Sequence, residues 1–274
     1  MSSINTNTGA MIALQNLNAI SAQMQTTQNR ISTGLKVASA KDDGATWAIA
    51  QNERSQVSSL DAVQTSLSRT SSAIDVAMTA GESVSDLLSQ MRDKALAASD
   101  TSLDTTSRIA LQNDFVALRK QITQTLNTAG FNGINLLNGS KTSISALADA
   151  TGQNRMTVAA QNMSLGGSIV TLTAGATFAS ATDASNLLSS LDASINNVSS
   201  ALSSLGTSSK AIGTHTTYIG KLQDTLTASI GNLVDADMAR ESANLQSLQV
   251  KQQLAIQALS IANQSSSYLL QLFK

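Results

Sequence analysis

From Leu191 onward the apolar residues fall alternately four and three apart: Leu191, Ile195, Val198, Leu202 and Leu205 open a series that reaches Leu233 without a slip. A repeat averaging three and a half residues keeps one stripe of an α-helix turned toward other helices. A strand, whose side chains alternate with period two, cannot carry it. Sustained over so many turns, the series predicts a helix over 183–235 that coils against partners elsewhere in the chain.

The first half of the sequence supplies one. Leu60, Leu67, Ile74, Gly81, Leu88 and Ala95 repeat every seven residues, and Val63, Thr70, Ala77, Val84 and Met91 repeat three residues later. They predict a second helix from Ala45 to about Asp100, on the order of 80 Å long at ~1.5 Å rise per residue. Leu111, Phe115, Leu118 and Ile122 mark a third, shorter helix over 103–129. The chain contains no proline, the residue that most often interrupts a helix. Gly130-Phe131-Asn132-Gly133 and Asn138-Gly139 are turn signals. Between Lys141 and Ala181 the period changes, and Met156–Ala159 and Ser168–Thr173 read as short strands bounded by glycines. The expected fold class is mainly α: an elongated antiparallel helical bundle or coiled coil with a small β-hairpin region, plus paired N- and C-terminal helices. Its expected segments are 1–40, 41–139, 140–182, 183–235 and 236–274.

The two ends differ from the middle. The closing stretch carries Leu245, Leu248, Gln252, Ala255, Leu259, Ala262, Ser266, Leu269 and Phe273 in heptad spacing, with a second stripe through Leu254, Ile261, Leu270 and Leu272. In the opening stretch Leu17, Met24 and Ile31 lie seven apart, Ile20 fills the seam, and Ile4, Met11 and Leu14 extend it backwards. The remaining positions there are Asn, Gln, Ser and Thr, mediocre helix formers, and isolated helices of this kind are marginal in water. Both ends are expected to become ordered only when packed. Chain ends are usually polar, so the apolar close points to partners in other copies of the molecule. The expected polymerisation contacts are Ile4, Met11, Leu14, Leu17, Met24, Ile31, Leu245, Leu248, Leu259, Ala262, Leu269 and Phe273.

Charge and chemistry narrow the function. Charged residues make up 13 % of the chain and the net charge is −1, against about a quarter charged in an average protein. There is no basic footprint for nucleic acid, and no run approaches the ~18 apolar residues of a membrane span. A surface of Ser, Thr, Asn and Gln repels other copies only weakly. Without cysteine there is no disulfide and no thiolate site. Met1–Gly9 lacks a basic start and an apolar core, so the chain is expected to stay in the cytoplasm or to leave by a route that reads no cleavable signal. Adjacent Asp42 and Asp43, like Asp235 and Asp237, read as helix caps. The lone His215 has no nucleophile elbow near it, and Leu165-Gly166-Gly167-Ser168 lacks the lysine of a phosphate loop. No catalytic residue, metal or cofactor is expected.

Three sets of motifs carry a family resemblance. The first is Ser3-Ile4-Asn5-Thr6-Asn7, Arg30-Ile31-Ser32-Thr33-Gly34-Leu35 and Ala38-Ser39-Ala40-Lys41-Asp42-Asp43-Gly44-Ala45. The second is Phe131-Asn132-Gly133-Ile134-Asn135-Leu136-Leu137. The third is Asp235-Ala236-Asp237-Met238-Ala239, Ala258-Leu259-Ser260-Ile261-Ala262-Asn263-Gln264 and Leu270-Gln271-Leu272-Phe273-Lys274. The chain resembles bacterial flagellin, in a short form like those of alphaproteobacteria, over nearly everything outside residues 140–185. The resemblance implies a D0 domain of paired terminal helices and a D1 bundle with a β-hairpin, with little or no D2 and D3. It implies a helical homopolymer, the extracellular filament used for swimming, in which related flagellins can mix. Implied partners are an export chaperone, the flagellar type III export apparatus, and the hook–filament junction and cap proteins. Gln90, Arg92 and Lys94 would lie on a D1 self-association surface. The form recognised by an innate Toll-like receptor has arginine where this chain has Gln90 and leucine where it has Lys94, while Arg92 is retained. The rival readings are a hook–filament junction protein and a cytoplasmic helical-bundle adaptor.

Overall fold

The computed structural model describes the backbone of residues 6–272 and side chains over 6–264. In order, the elements are α1 (Thr8–Thr33), α2 (Gly44–Ala98), α3 (Thr105–Thr128), β1 (Gly130–Phe131), β2 (Ile134–Asn135), β3 (Ser143–Leu147), β4 (Arg155–Ala159), α4 (Ala181–Val234) and α5 (Met238–Leu272). The residues fall into two compact units: one holds the chain up to Ser55 together with Asp224 onward, the other is Gln56–Gln223. No described helix is long and apolar enough to cross a membrane.

In the Gln56–Gln223 unit the heptad series becomes the core. Leu60, Val63, Leu67, Ile74, Ala77, Val84, Leu88, Met91 and Ala95 of α2 are all buried, and Thr70 with them. On α4 the line Leu191, Val198, Leu205, Ile212 and Ile219 is buried, while Ile195 and Leu202 beside it are half-buried. Gly81 occupies a seam position for a steric reason. A Cβ there would lie 2.7 Å from Leu202 Cδ2 and 3.3 Å from Met163 Cε. The missing side chain is the hole that receives the leucine, as knob-into-hole packing requires.

Side chains end the helices where the sequence changes character. Asp104 Oδ1 accepts from Ser107 N–H at 2.9 Å and starts α3. Arg108 closes α2: its Nε donates to Ala98 O at 3.0 Å, and its Nη2 donates to Asp100 O at 2.9 Å and Leu103 O at 3.0 Å. One guanidinium thus satisfies the last carbonyl of α2 and ties down two carbonyls of the turn that follows. After α3, β1 and β2 form a minimal hairpin, Gly130 opposite Asn135 and Phe131 opposite Ile134. Its two turn residues, Asn132 (φ 50°) and Gly133 (φ 76°), are both left-handed, the geometry that Asn-Gly loops favour in tight hairpins. The buried Asn135 ties the hairpin down. Its Nδ2 donates to Leu126 O at 2.7 Å, and its Oδ1 accepts from Leu137 N–H at 2.8 Å and Asn138 N–H at 3.1 Å.

The β-prone run at 156–159 is strand β4, paired antiparallel with β3 from Ser143↔Ala159 to Leu147↔Arg155. The run at 168–173 is not a strand. It belongs to an irregular strap between β4 and α4, bonded to side chains rather than to a neighbouring strand. Thr171 N–H donates to Ser194 Oγ at 3.0 Å, and Asn197 Nδ2 donates to Ile169 O at 3.2 Å. Val170 and Leu172 are buried, so the residues that looked strand-like fill a core. β-propensity registers such half-buried packing as much as ladder formation. Further along, Phe178 stacks edge-on against Phe115 with ring centroids 5.3 Å apart, and the Arg119 guanidinium donates to Ala176 O. His215 Nε2 bonds Ala148 O at 2.8 Å and so holds the loop after β3.

Candidate assembly surface

The other unit is organised around α1 and α5. The chain leaves α1 through Gly34, left-handed at φ 72°, whose N–H donates to Arg30 O. It then crosses the end of α4, where Lys36 N–H and Val37 N–H both donate to Val234 O, and Ala236 N–H donates to Gly34 O. Val37, Ala50 and Val234 form a small core, with Leu35, Trp47, Ile230 and Leu233 packed on it. Trp47 is therefore a packing residue. Asp42 Oδ2 accepts from Ala38 N–H, Ser39 N–H and Ser39 Oγ. Asp43 accepts from Ala45 N–H, Thr46 N–H and Thr46 Oγ1 and caps α2. These bonds, led by the Ser39 backbone for Asp42 and the Thr46 hydroxyl for Asp43, hold both carboxyls below their usual range. Asp237 Oδ1 caps α5 through Ala239 N–H and Arg240 N–H.

From that base α1 and α5 run side by side and antiparallel. Arg30 Nη1 pairs with Glu241 Oε1 at 3.2 Å at one end, and Asn7 Nδ2 donates to Ala262 O at 2.8 Å at the other. Exposure falls with heptad spacing on both helices. On α1, Ala10, Ala13, Leu17, Ile20, Met24 and Ile31 are half-buried and Thr27 is buried. On α5, Leu245, Gln252, Ala255, Leu259 and Ala262 are half-buried and Leu248 is buried. From Leu245 to Ala262 the seam expected at the chain's close lies along this pair.

Met11 and Leu14 do not continue that seam. Stepping back by sevens from Leu17 leads to Ala10, and Met11 and Leu14 stand 63 % and 49 % exposed with Ile12 beside them. The stripe through Leu254 and Ile261 is open as well, at 58 % and 68 %. With Val250 it follows spacings of four and seven, which place all three on one helix face turned away from the seam. Ile12, Val250 and Ile256 escaped the sequence reading; none of them falls on the register counted from Leu17 and Leu248, and all three are exposed. Ile4 and Phe273 lie outside the described residues, as does the side chain of Leu269.

Between Thr6 and Asn29 there is no charged residue, and between Ser242 and Gln264 only Lys251. In the other unit Gln90 is exposed, while Arg92 pairs with Asp192 of α4 and Lys94 with Asp114 of α3 at 2.8 Å.

Two paired helices that bury one seam on each other, leave a second apolar face open and carry almost no charge make a surface suited to packing with other polypeptide helices. Similarity to known proteins gives the family. Residues 4–142 match the bacterial flagellin N-terminal helical region, and residues 188–273 match the bacterial flagellin C-terminal helical region. The chain is 52 % identical over 274 residues to the flagellin FljM of Caulobacter vibrioides, covering 100 % of this chain and 99 % of that one. It is 33 % identical over 287 residues to a flagellin of Brucella melitensis, covering both completely. Among solved structures, a putative flagellar hook-associated protein from Vibrio parahaemolyticus shares the fold at TM-score 0.60 and 16 % identity, covering 71 % of this chain and all of that one. The chain belongs to the bacterial flagellin family, and is a structural subunit of the flagellar filament.

Proposed function

We propose that this flagellin assembles through the open faces of α1 and α5. The supporting observation is the row of exposed apolar side chains, Met11, Ile12 and Leu14 on one helix and Val250, Leu254 and Ile261 on the other, on an almost uncharged pair. Each such side chain contributes roughly 1.5–3 kcal/mol when fully buried. A face of one copy that meets a different face of the next gives an open helical polymer. The residues named from sequence then divide by role. Leu17, Met24, Ile31, Leu245, Leu248, Leu259 and Ala262 hold the pair together, and Met11 and Leu14 face neighbouring copies. Ordering of the ends would be coupled to that contact. In this reading 1–40 and 236–274 form the inner D0 layer, and 41–139 with 183–235 form D1.

Gln90 is the open position of the D1 surface. Arg92 and Lys94 join it once their ion pairs rearrange, which costs little because exposed pairs are worth about 0–1 kcal/mol. The subunit works outside the cell, reached through the type III export apparatus with a chaperone that keeps the apolar helices from associating early. It is added under a cap protein, beyond the hook junction. The test is seeded assembly of the full chain beside a version lacking residues 241–274, followed by negative-stain microscopy. Filaments of uniform width from the full chain alone are expected, and filaments from both would refute the proposal.

A further inference from the structure

The sequence contains two Asn-Gly pairs, Asn132-Gly133 and Asn138-Gly139, and the fold treats them oppositely. Asn132 is exposed, and no hydrogen-bond partner for its side chain is found among the described residues. It is also the one residue other than glycine with positive φ among the described residues. Gly133 after it has no atom within 4 Å of where a Cβ would stand. The hairpin around the turn has only two residue pairs, so opening it breaks few bonds. Asn138, in contrast, is half-buried, and its Oδ1 is engaged by Ser140 N–H at 2.9 Å. Gly139 is walled by Asn162, whose Nδ2 would lie 2.8 Å from a Cβ there.

One cation stands by the first pair. Arg69 of α2 and Asn132 line the same cleft of about 130 Å³, with Ser66, Thr70, Phe131 and Ile144. Arg69 makes no ion pair or hydrogen bond among the described residues, and it is exposed. A nearby guanidinium favours negative charge that develops beside it.

We propose that Asn132 is a site of spontaneous, site-selective deamidation promoted by Arg69. The Gly133 backbone nitrogen gives up its proton and attacks Asn132 Cγ. A nitrogen–carbon bond forms, and the side-chain amide nitrogen departs as ammonia, leaving a five-membered succinimide. Water then attacks one of the two ring carbonyl carbons and the bond from that carbon to the Gly133 nitrogen breaks: cleavage at Cγ gives aspartate, cleavage at the main-chain carbonyl carbon gives isoaspartate, and either leaves a new carboxylate at position 132. Arg69 stabilises the anionic intermediate of the first step and pairs with the carboxylate of the product. A subunit thus gains a negative charge with age at one defined turn, where the unmodified chain has a free cation.

The test uses the full chain. Folded protein is incubated at mildly alkaline pH, digested, and its peptides are resolved by mass spectrometry, with isoaspartate read by enzymatic methylation. The same incubation in strong urea serves as reference. Asn132 is expected to convert several-fold faster than Asn138 in the folded protein, and the two at similar rates in urea. Arg69→Gln, checked for an unchanged circular dichroism spectrum, is expected to slow conversion at Asn132 and leave Asn138 as it was. Conversion at Asn138 as fast as at Asn132 in the folded chain would overturn the site. An unchanged rate at Asn132 in the Arg69→Gln variant would overturn the role of the arginine.

Discussion

Asn135 commits its whole side chain to backbone: one donor to Leu126 O at the end of α3, one acceptor shared by Leu137 N–H and Asn138 N–H. Because it is buried, Asn135→Ala leaves these groups without partners, at roughly 1–3 kcal/mol each. Urea denaturation should show a loss of that order, with the midpoint shifted and little change in slope. The sequence marks 130–139 as turns, but not that one asparagine joins a helix end to a hairpin, since the bond links positions nine apart through the backbone. Asp43 and Asp237 were more legible as caps, because an acid next to a helix start bonds backbone N–H groups only two and three residues on. Asp42, Asp43, Asp104 and Asp183 all have carboxyls held below the usual range by groups three residues away, Ser39 and Ser180 before Asp42 and Asp183, Thr46 and Ser107 after Asp43 and Asp104. The folded pKa lies below the unfolded one, so the stabilisation is complete above the unfolded value and is lost as pH falls through the depressed values. Helicity followed by circular dichroism should therefore hold through pH 5 and drop on acidification below about 4. An Asp43→Asn variant, which keeps a capping oxygen but does not titrate, should lose less on that descent.

Among elements, α2 was the most readable because its heptad residues became the core one for one. Leu88 lies on that line and is fully buried. Leu88→Ala should cost about 2–5 kcal/mol, seen as a lower thermal midpoint with the helical spectrum kept at low temperature. The strap between β4 and α4 was not readable. Its apolar residues have strand-like spacing, and only α4, arriving later in sequence with Ser194 and Asn197, shows that they pack in irregular backbone. On α1 the error was one of register. Met11 and Leu14 are apolar near a seam of apolar residues, and only strict sevens separate the face that pairs with α5 from the open one. That separation has a consequence. Leu248→Ala attacks the pair itself and should cost about 2–5 kcal/mol, whereas Leu254→Ala should leave the isolated subunit's stability within about 0.5 kcal/mol.

For the whole molecule, absence of charge matters as much as the apolar rows. A pair of helices with no charged residue from Thr6 to Asn29 and a single lysine from Ser242 to Gln264 can approach another copy without repulsion and without stranding ions in the contact. The sequence showed this as a plain count. It could not show which apolar residues remain open once α1 and α5 have met, since that depends on the pairing. The proposed assembly therefore rests on the difference between the inner seam and the outer face. The most direct measurement is seeded assembly of a Leu254→Asp/Ile261→Asp variant, with circular dichroism and sedimentation run on the same sample. The expected result is a folded monomer with the helical content of the parent and no filament growth from seeds. Filaments of normal width and length from that variant would contradict the claim that the open face of the terminal pair drives assembly.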